Sequence, residues 1–311
     1  RGMSRGIKPS TMRVGLIGTG YWATTVHGRG VVNHPKAELV GVWGRDPDKA
    51  RQAAGELGTR PYEHLAGLVA DVEALTFAVP PEVQASIGVQ AAHAGKHLLL
   101  EKPIATSVPE AQKLQSAVGQ AGVASIVFFT RRFLRDLQTW LNQLVEAGGW
   151  ECARAEFASA IFVEGGPFSN SPWRRDKGAL WDVGPHALST LVPLLGAVES
   201  VVAGGGVRDQ VHLVLQHAGG RSSTASLSLT VPPAAVGNAL YVYGERGREQ
   251  APDGPFDVVA AYQAALDALI EQAGATKPGH ACDVHFGAQV VAVLAAAEES
   301  LRSGCRVSLP R

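Results

Sequence analysis

The first 130 residues alternate between short apolar runs and longer amphipathic stretches. The apolar runs 12–17, 39–43, 74–79, 98–100 and 125–129 lack the every-other-residue polarity of a half-solvated strand, so they read as strands buried on both faces. A short run at 60–62 reads as one more strand. Helical patterns fill the gaps: from the first strand to His34, then 63–70, 82–95 and 109–122. Pro80-Pro81 opens the 82–95 helix, and Asp46 before Pro47 is placed to cap another. Strands alternating with helices in this way predict a doubly wound parallel sheet, an α/β domain over 1–130.

The texture changes after residue 130. An amphipathic helix is predicted over 134–147. Runs at 154–158, 211–216, 223–230 and 240–243 alternate or are rich in strand formers, with Gly, Pro and Asn turns between them. Gly219-Gly220 reads as a hairpin and Gly204-Gly205-Gly206 as a turn. A helix over 284–303 closes the chain. Residues 131–311 are thus expected to form an α+β domain on a mostly antiparallel, open sheet.

Composition narrows the function. The 311 residues carry 28 basic and 28 acidic side chains, a formal net charge of zero, which argues against nucleic acid or an anionic membrane as main partner. No window approaches the roughly 18 apolar residues of a membrane span. The first six residues have no signal-peptide core and read as a tag remnant or disordered lead-in. Cys152, Cys282 and Cys305 are far apart, fit no zinc spacing or disulfide framework, and suit a reducing cytoplasm. No metal is expected.

Candidate chemistry lies where strands end. Gly18-Thr19-Gly20-Tyr21-Trp22-Ala23 sits between the first strand and its helix, the context of a dinucleotide loop. Gly18 allows the tight turn, Gly20 lets backbone approach a pyrophosphate, and Ala23 is small enough for the helix to pack closely. The second strand ends in Gly44-Arg45, where an NAD site usually offers a carboxylate. This leaves room for a 2′-phosphate and a guanidinium to meet it, so NADP is favoured over NAD. Pro80 falls at a strand tip facing the same crevice. The run 98–100 ends in Glu101-Lys102-Pro103, a charge pair at a buried strand's carboxyl end, where ligands sit in open α/β sheets. A lysine there is in place to share or donate a proton. In the second half, Asp182 and His186 stand four apart, on one face of a helical turn. The histidine is the natural proton carrier; the aspartate reads either as its orienting partner or as the N-cap of a helix over 184–195.

Taken in order, Gly18–Ala23, Ala94-Gly95-Lys96-His97 leading to Glu101-Lys102-Pro103, Trp173-Arg174, Asp182-x-Gly184-x-His186 and the 300–309 pattern resemble the glucose–fructose oxidoreductase / inositol dehydrogenase / rhizopine-catabolism (Gfo/Idh/MocA) family. The resemblance spans nearly the whole chain. It implies an N-terminal Rossmann domain and a C-terminal sheet domain whose open face carries dimer or tetramer contacts. It implies a bound NAD(P) and a sugar, cyclitol or related polyol as substrate. Lys102, Asp182 and His186 match the family's catalytic residues, and Trp173 and Arg174 a pair near cofactor or substrate. Gln84 stands where the family often has histidine, and Thr130 where asparagine is common. The expected reaction is hydride transfer between nicotinamide and a carbon bearing a secondary hydroxyl, with His186 moving the hydroxyl proton, Asp182 holding His186, and Lys102 bonding the same oxygen. Two other uses stay open: a glycoside hydrolase that retains NAD, and a non-catalytic regulator that senses a nucleotide.

Overall fold

The structure, a computed structural model, describes residues 11–310. The expected lead-in at residues 1–6 lies outside the described residues. The first sheet contains β1 (Met12–Ile17), β2 (Ala37–Trp43), β3 (Arg60–Tyr62), β4 (Ala74–Phe77), β5 (His97–Leu100) and β6 (Ser125–Val127). All are parallel, in the order β3-β2-β1-β4-β5-β6. Between them run α1 (Arg29–Val32), which continues a π-helical turn at Ala23–Gly28, then α2 (Pro47–Leu57), α3 (Leu65–Asp71), α4 (Pro81–His93) and α5 (Val108–Ala121). The strand order reverses between β1 and β4, and a crevice opens at their carboxyl ends.

The local causes are visible in the sequence. Leu16, Ile17, Leu75, Phe77 and Leu98, Leu99 and Leu100 are fully buried, as apolar runs covered on both faces must be. Asp46 caps α2 by accepting from the N–H groups of Asp48 and Lys49, and Ser107 caps α5. β4 stops at Phe77, short of the expected Val79. Pro80 has no N–H for the ladder, and Pro81 begins α4.

The second sheet contains β7 (Trp150–Ala158), β8 (Val198–Gly205), β9 (Val211–His217), β10 (Ser222–Ser228), β11 (Gly237–Gly244), β12 (Gly247–Gln250) and β13 (Val307–Ser308). Its order is β12-β11-β7-β10-β9-β8-β13, antiparallel except between β7 and β10. The helices of this half are α6 (Thr130–Phe133), α7 (Arg135–Ala147), α8 (Pro172–Asp182), α9 (Gly184–Leu195), α10 (Val258–Ala273) and α11 (Val284–Ser303). α8, α9 and α11 pack on one face of the sheet. The other face shows Arg154, Glu156, His212, Val214 and Thr224 to solvent. No described helix is long and apolar enough to cross a membrane.

Several expectations need correction. The helix expected from Leu134 starts at Arg135, because Leu134 is extended and separates α6 from α7. Gly204 and Gly205 end β8 and do not form a turn. Asp182 does not cap the 184–195 helix: it is the last residue of α8, and Val183 joins the two helices without a side-chain cap. The sequence reading also lacked β8 and α10. α10 is alanine-rich and apolar on more than one side, because it packs against α1, the π-helical turn, β5, β6 and α6 at once. Its Tyr262 lies over Gly30, where an added Cβ would come within 2.1 Å of the ring.

Candidate active site

The glycine loop between β1 and the π-helical turn is built for a close visitor. Gly18 has φ +129°, and a Cβ there would lie 2.4 Å from the Ala78 carbonyl oxygen. A Cβ at Gly20 would meet nothing within 4 Å, so bare backbone faces the crevice. Ala23 is buried as the helix begins. A cradle that a side chain would fill, at the switch point of a parallel sheet, fits a dinucleotide pyrophosphate. At the end of β2, Gly44 lies so near Thr19 that a Cβ would come within 2.5 Å of its methyl. Arg45 follows, exposed.

β5 delivers Glu101 to the crevice, and Gln84 on α4 fixes its backbone. The Glu101 N–H donates to Gln84 Oε1, and Gln84 Nε2 donates to the Glu101 carbonyl, both at 2.7 Å. Gln84 is fully buried. The Glu101 carboxylate accepts from the Trp22 indole at 2.7 Å and from the Lys102 N–H at 3.1 Å. His27 Nε2 lies 2.9 Å from the same carboxylate. Behind it, His27 Nδ1 lies 2.8 Å from Thr76 Oγ1, which accepts from the Tyr262 hydroxyl at 2.8 Å. One assignment of protons satisfies the whole file: Tyr262 donates to Thr76, Thr76 to His27, and His27 to Glu101. The carboxylate is thus held directly by Trp22, His27 and the Lys102 N–H, and His27 is backed in turn by Thr76 on β4 and Tyr262 on α10.

Lys102 reaches across to the second half. Its Nζ donates to the Asp182 carbonyl at 2.6 Å and to Asp182 Oδ1 at 2.9 Å. Asp182 Oδ2 accepts from Arg174 Nε at 3.1 Å. Burial works to raise the Asp182 carboxyl, but the Lys102 ammonium and Arg174 guanidinium outweigh it and hold it at about 2. Arg174 is itself stacked between Phe168 and Trp173, at 4.4 and 4.6 Å from the ring centres. Gly178, at φ +64°, breaks α8 so that its last turn carries Asp182 inward.

His186 does not share a continuous helical turn with Asp182. It lies in the first turn of α9, beyond the Val183 junction. Both Asp182 oxygens are engaged by Lys102 and Arg174, and His186 Nδ1 is buried without a hydrogen-bond partner among the described residues. Burial first, and the Lys102 ammonium second, hold the imidazole well below the ordinary histidine range, while the Asp182 charge pulls it back up. The ring is therefore neutral near pH 7.

These groups share one cavity of about 680 Å³. Gly20, Tyr21, Trp22, Pro80, Glu101, Lys102, Trp173, Arg174, Asp182 and His186 line it, while Gly18, Thr19 and Arg45 lie outside its lining. Tyr21 meets Phe168 edge-on at 6.2 Å, so the glycine loop touches the segment before α8. Nothing in the sequence singles out His27, Thr76 or Tyr262, or gives Gln84 or Arg131 a role. His27 and Thr76 sit inside apolar elements, and Tyr262 acts 186 positions away from its partner, so no local pattern signals them. Among the described residues no group of three or more His, Cys, Asp or Glu side chains is placed to hold a metal ion.

A doubly wound sheet with an open glycine cradle, facing a lysine and a neutral histidine, defines a nicotinamide-dependent oxidoreductase. The sequence pattern of the oxidoreductase family with an NAD-binding Rossmann fold matches residues 12–129, and that of the Gfo/Idh/MocA C-terminal domain matches 143–249. The chain belongs to the Gfo/Idh/MocA family. It is 26% identical to the uncharacterized oxidoreductase YdgJ of Escherichia coli over 76% of this chain and 70% of that protein. It is 33% identical to inositol 2-dehydrogenase 3 of Saccharopolyspora erythraea over 45% of this chain and 42% of that protein. With glucose-6-phosphate 3-dehydrogenase of Bacillus subtilis the identity is 26% over 57% of this chain and 51% of that protein. The chain thus spans about half the length of these last two relatives, or less. The fold matches that of GenD2 from gentamicin A biosynthesis, solved in complex with NAD, with a TM-score of 0.82 at 22% identity over 99% of both chains. It also matches a putative myo-inositol dehydrogenase from Sinorhizobium meliloti, with a TM-score of 0.81 at 22% identity over 96% of this chain and 100% of that one.

Proposed function

We propose that this protein oxidises a secondary hydroxyl of a sugar, cyclitol or related polyol to a ketone, or runs the reverse reduction. The observation that carries the reading is Lys102 Nζ fixed beside Asp182 at the wall of the cavity that His186 also lines. A nicotinamide dinucleotide held by the Gly18–Ala23 loop would supply the acceptor or donor for the hydride of the carbon–hydrogen bond. His186 accepts the hydroxyl proton in oxidation, because its ring is held neutral, and gives it back in reduction. Lys102 donates to the reacting oxygen as negative charge builds on it. Asp182 positions Lys102 and Arg174 and acts on His186 through space. Relatives named as inositol and glucose-6-phosphate dehydrogenases support the substrate class.

In the same reading, residues 1–130 bind the cofactor and 131–311 supply the substrate wall, and Arg45 favours NADP over NAD. Asp46, the nearest acid, is engaged in capping α2. The open face of the second sheet serves a homodimer or homotetramer, and the three free cysteines suit the cytoplasm. The test is a panel of sugars, inositols and ketosugars assayed with NADH, NADPH and their oxidised forms. His186→Ala and Lys102→Ala each lower turnover by roughly 10²–10⁴-fold on the responding substrate, with cofactor affinity nearly unchanged. Full activity in either variant would remove that residue from the mechanism.

A further inference from the structure

Among the described residues the cavity holds one cation that nothing in it answers. Lys102 and Arg174 are both paired with Asp182. Arg132, next along the chain, donates to the Ser189 carbonyl at 3.1 Å and so ties α6 to α9. Arg131 lines the cavity but makes no ion pair or hydrogen bond among the described residues, and its Nε is sealed from solvent without a partner. Its guanidinium lies 5.0 Å from the centre of the Phe157 ring and 6.0 Å from that of Phe256, so it is held between aromatic faces. Burial lowers it to about 10, and the acid whose field reaches it is the exposed Asp253. Three cations, Lys102, Arg131 and Arg174, thus face two carboxylates, Glu101 and Asp182, around a neutral His186.

A half-buried, unpaired guanidinium is costly unless a ligand completes it. A guanidinium is a planar set of donors that can bond a carboxylate through two parallel hydrogen bonds. Apart from the cofactor's own phosphates, which the glycine loop would hold, the surplus is a single charge, and that suits a carboxylate better than a phosphate dianion. We infer that the substrate of this cavity is a hydroxy acid, a sugar or polyol bearing a carboxylate, and that Arg131 receives the carboxylate while Lys102 and His186 address the hydroxyl. The inference rests on the reading of the cavity as an alcohol site and adds the class of substrate that enters it. Arg131 is a specificity residue and takes no part in proton or hydride transfer.

The test is equilibrium binding to the protein saturated with reduced nicotinamide cofactor, measured by calorimetry with D-glucose, D-glucuronate and glucose 6-phosphate. These three differ only in bearing a hydroxymethyl, carboxylate or phosphoester at one end. A charged hydrogen-bond pair gained on binding predicts that glucuronate binds roughly tenfold to a hundredfold tighter than glucose. Arg131→Met, which keeps an apolar stem against Phe157, erases that preference, and Arg131→Lys keeps part of it. Each variant's unfolding temperature is measured alongside, so that a packing defect is separated from a lost contact. Equal affinity of the wild type for glucose and glucuronate overturns the inference, as does a preference that survives in Arg131→Met. Tightest binding of glucose 6-phosphate replaces the carboxylate with a phosphate and overturns it too. A carboxylate preference in this binding test, together with no reduction of oxidised cofactor by any member of the sugar, inositol and uronate panel, would instead refute the dehydrogenase reading and leave Arg131's role standing.

Discussion

Lys102 and Asp182, eighty positions apart, meet through two hydrogen bonds, 2.6 Å to the backbone carbonyl and 2.9 Å to the carboxylate. The contact joins the carboxyl edge of the parallel sheet to the helical layer of the second half. It also shields two cations from each other. In Asp182→Asn, Lys102 and Arg174 share a neutral amide, and a buried charge left uncompensated costs about 3 kcal/mol. A urea titration at pH 7 reads this directly. The sign with pH is fixed by the depressed carboxyl, about 2 in the folded protein against 3.8 unfolded. Its contribution of about 2 kcal/mol is complete above pH 3.8 and is lost as pH falls toward 2. A wild-type advantage over the variant that is unchanged between pH 5 and pH 2 would contradict the assignment.

His186 gives a second pH signature. The folded ring resists protonation, while the unfolded one takes a proton below its ordinary value of 6.5. Wild-type stability therefore falls as pH drops below 6.5, by up to about 1.4 kcal/mol per unit, until the folded ring itself titrates. His97, His217 and His280 are lowered as well and add to the total slope. Only the difference between wild type and His186→Gln isolates this ring. That difference is flat above pH 7 and moves against the wild type below 6.5; parallel stability curves from pH 8 to pH 5 would refute a neutral buried imidazole.

The two glycines of the phosphate loop separate folding from binding. Gly18→Ala forces a Cβ to 2.4 Å from the Ala78 carbonyl at a φ that side chains rarely adopt, so the loop distorts and the protein loses at least about 2 kcal/mol. Gly20→Ala meets no neighbour, and without cofactor its unfolding temperature stays within a degree or two of wild type, as expected of a change within about 0.5 kcal/mol. With cofactor the order of effects changes. Wild type is stabilised by binding, and Gly20→Ala far less, because the methyl occupies the cradle. Equal cofactor-induced shifts in wild type and Gly20→Ala would show that the pyrophosphate lies elsewhere.

Arg45 tests the cofactor preference without touching the cavity. Arg45→Ala weakens NADPH binding by roughly tenfold, the value of one charge-assisted contact, and leaves NADH unchanged. Gly44→Asp does not convert the site cleanly to NAD, because a side chain at 44 first strikes the Thr19 methyl. The pair Gly44→Asp with Thr19→Ser relieves that clash and gains NADH affinity. The measurement is the ratio of kcat/KM for the two cofactors in each variant.

How much of this was legible in the chain depends on distance. The parallel sheet was readable because both faces of each strand are buried, so runs such as Leu98-Leu99-Leu100 carry an unbroken apolar signature. Gly18, Glu101, Lys102 and His186 could be singled out as candidates because their spacing relative to a strand or helix end is local. The partner of Asp182 was not: four residues separate it from His186, but a helix junction at Val183 turns it instead toward a lysine from the other half. α10 hid for a related reason. Gln263, Asp267 and Glu271, four apart, mark its outer side, but alanines fill so many of its other positions that the contrast between its faces is weak, and the elements it packs against are distant in sequence.

That hidden helix supplies the last prediction. The Tyr262 hydroxyl starts the file of donors that runs through Thr76 and His27 to Glu101. Tyr262→Phe keeps the ring against Gly30 and removes only the hydroxyl, so stability falls by about 1 kcal/mol, one buried hydrogen bond. Thr76 keeps its own bond to His27, and Glu101 stays in place. His27→Leu cuts closer: it removes a donor from the Glu101 carboxylate and leaves Thr76 turned toward an apolar group. Glu101 is then held by Trp22 and the Lys102 N–H alone, its position loosens, and kcat falls several-fold while the affinity for cofactor changes less. His27→Gln, which offers an amide N–H to Glu101, restores part of the loss. Steady-state kinetics of the three variants beside their urea midpoints decide the matter: a drop in kcat that follows stability across all three, with no rescue by glutamine, would mean that the file only fills space beneath the sheet.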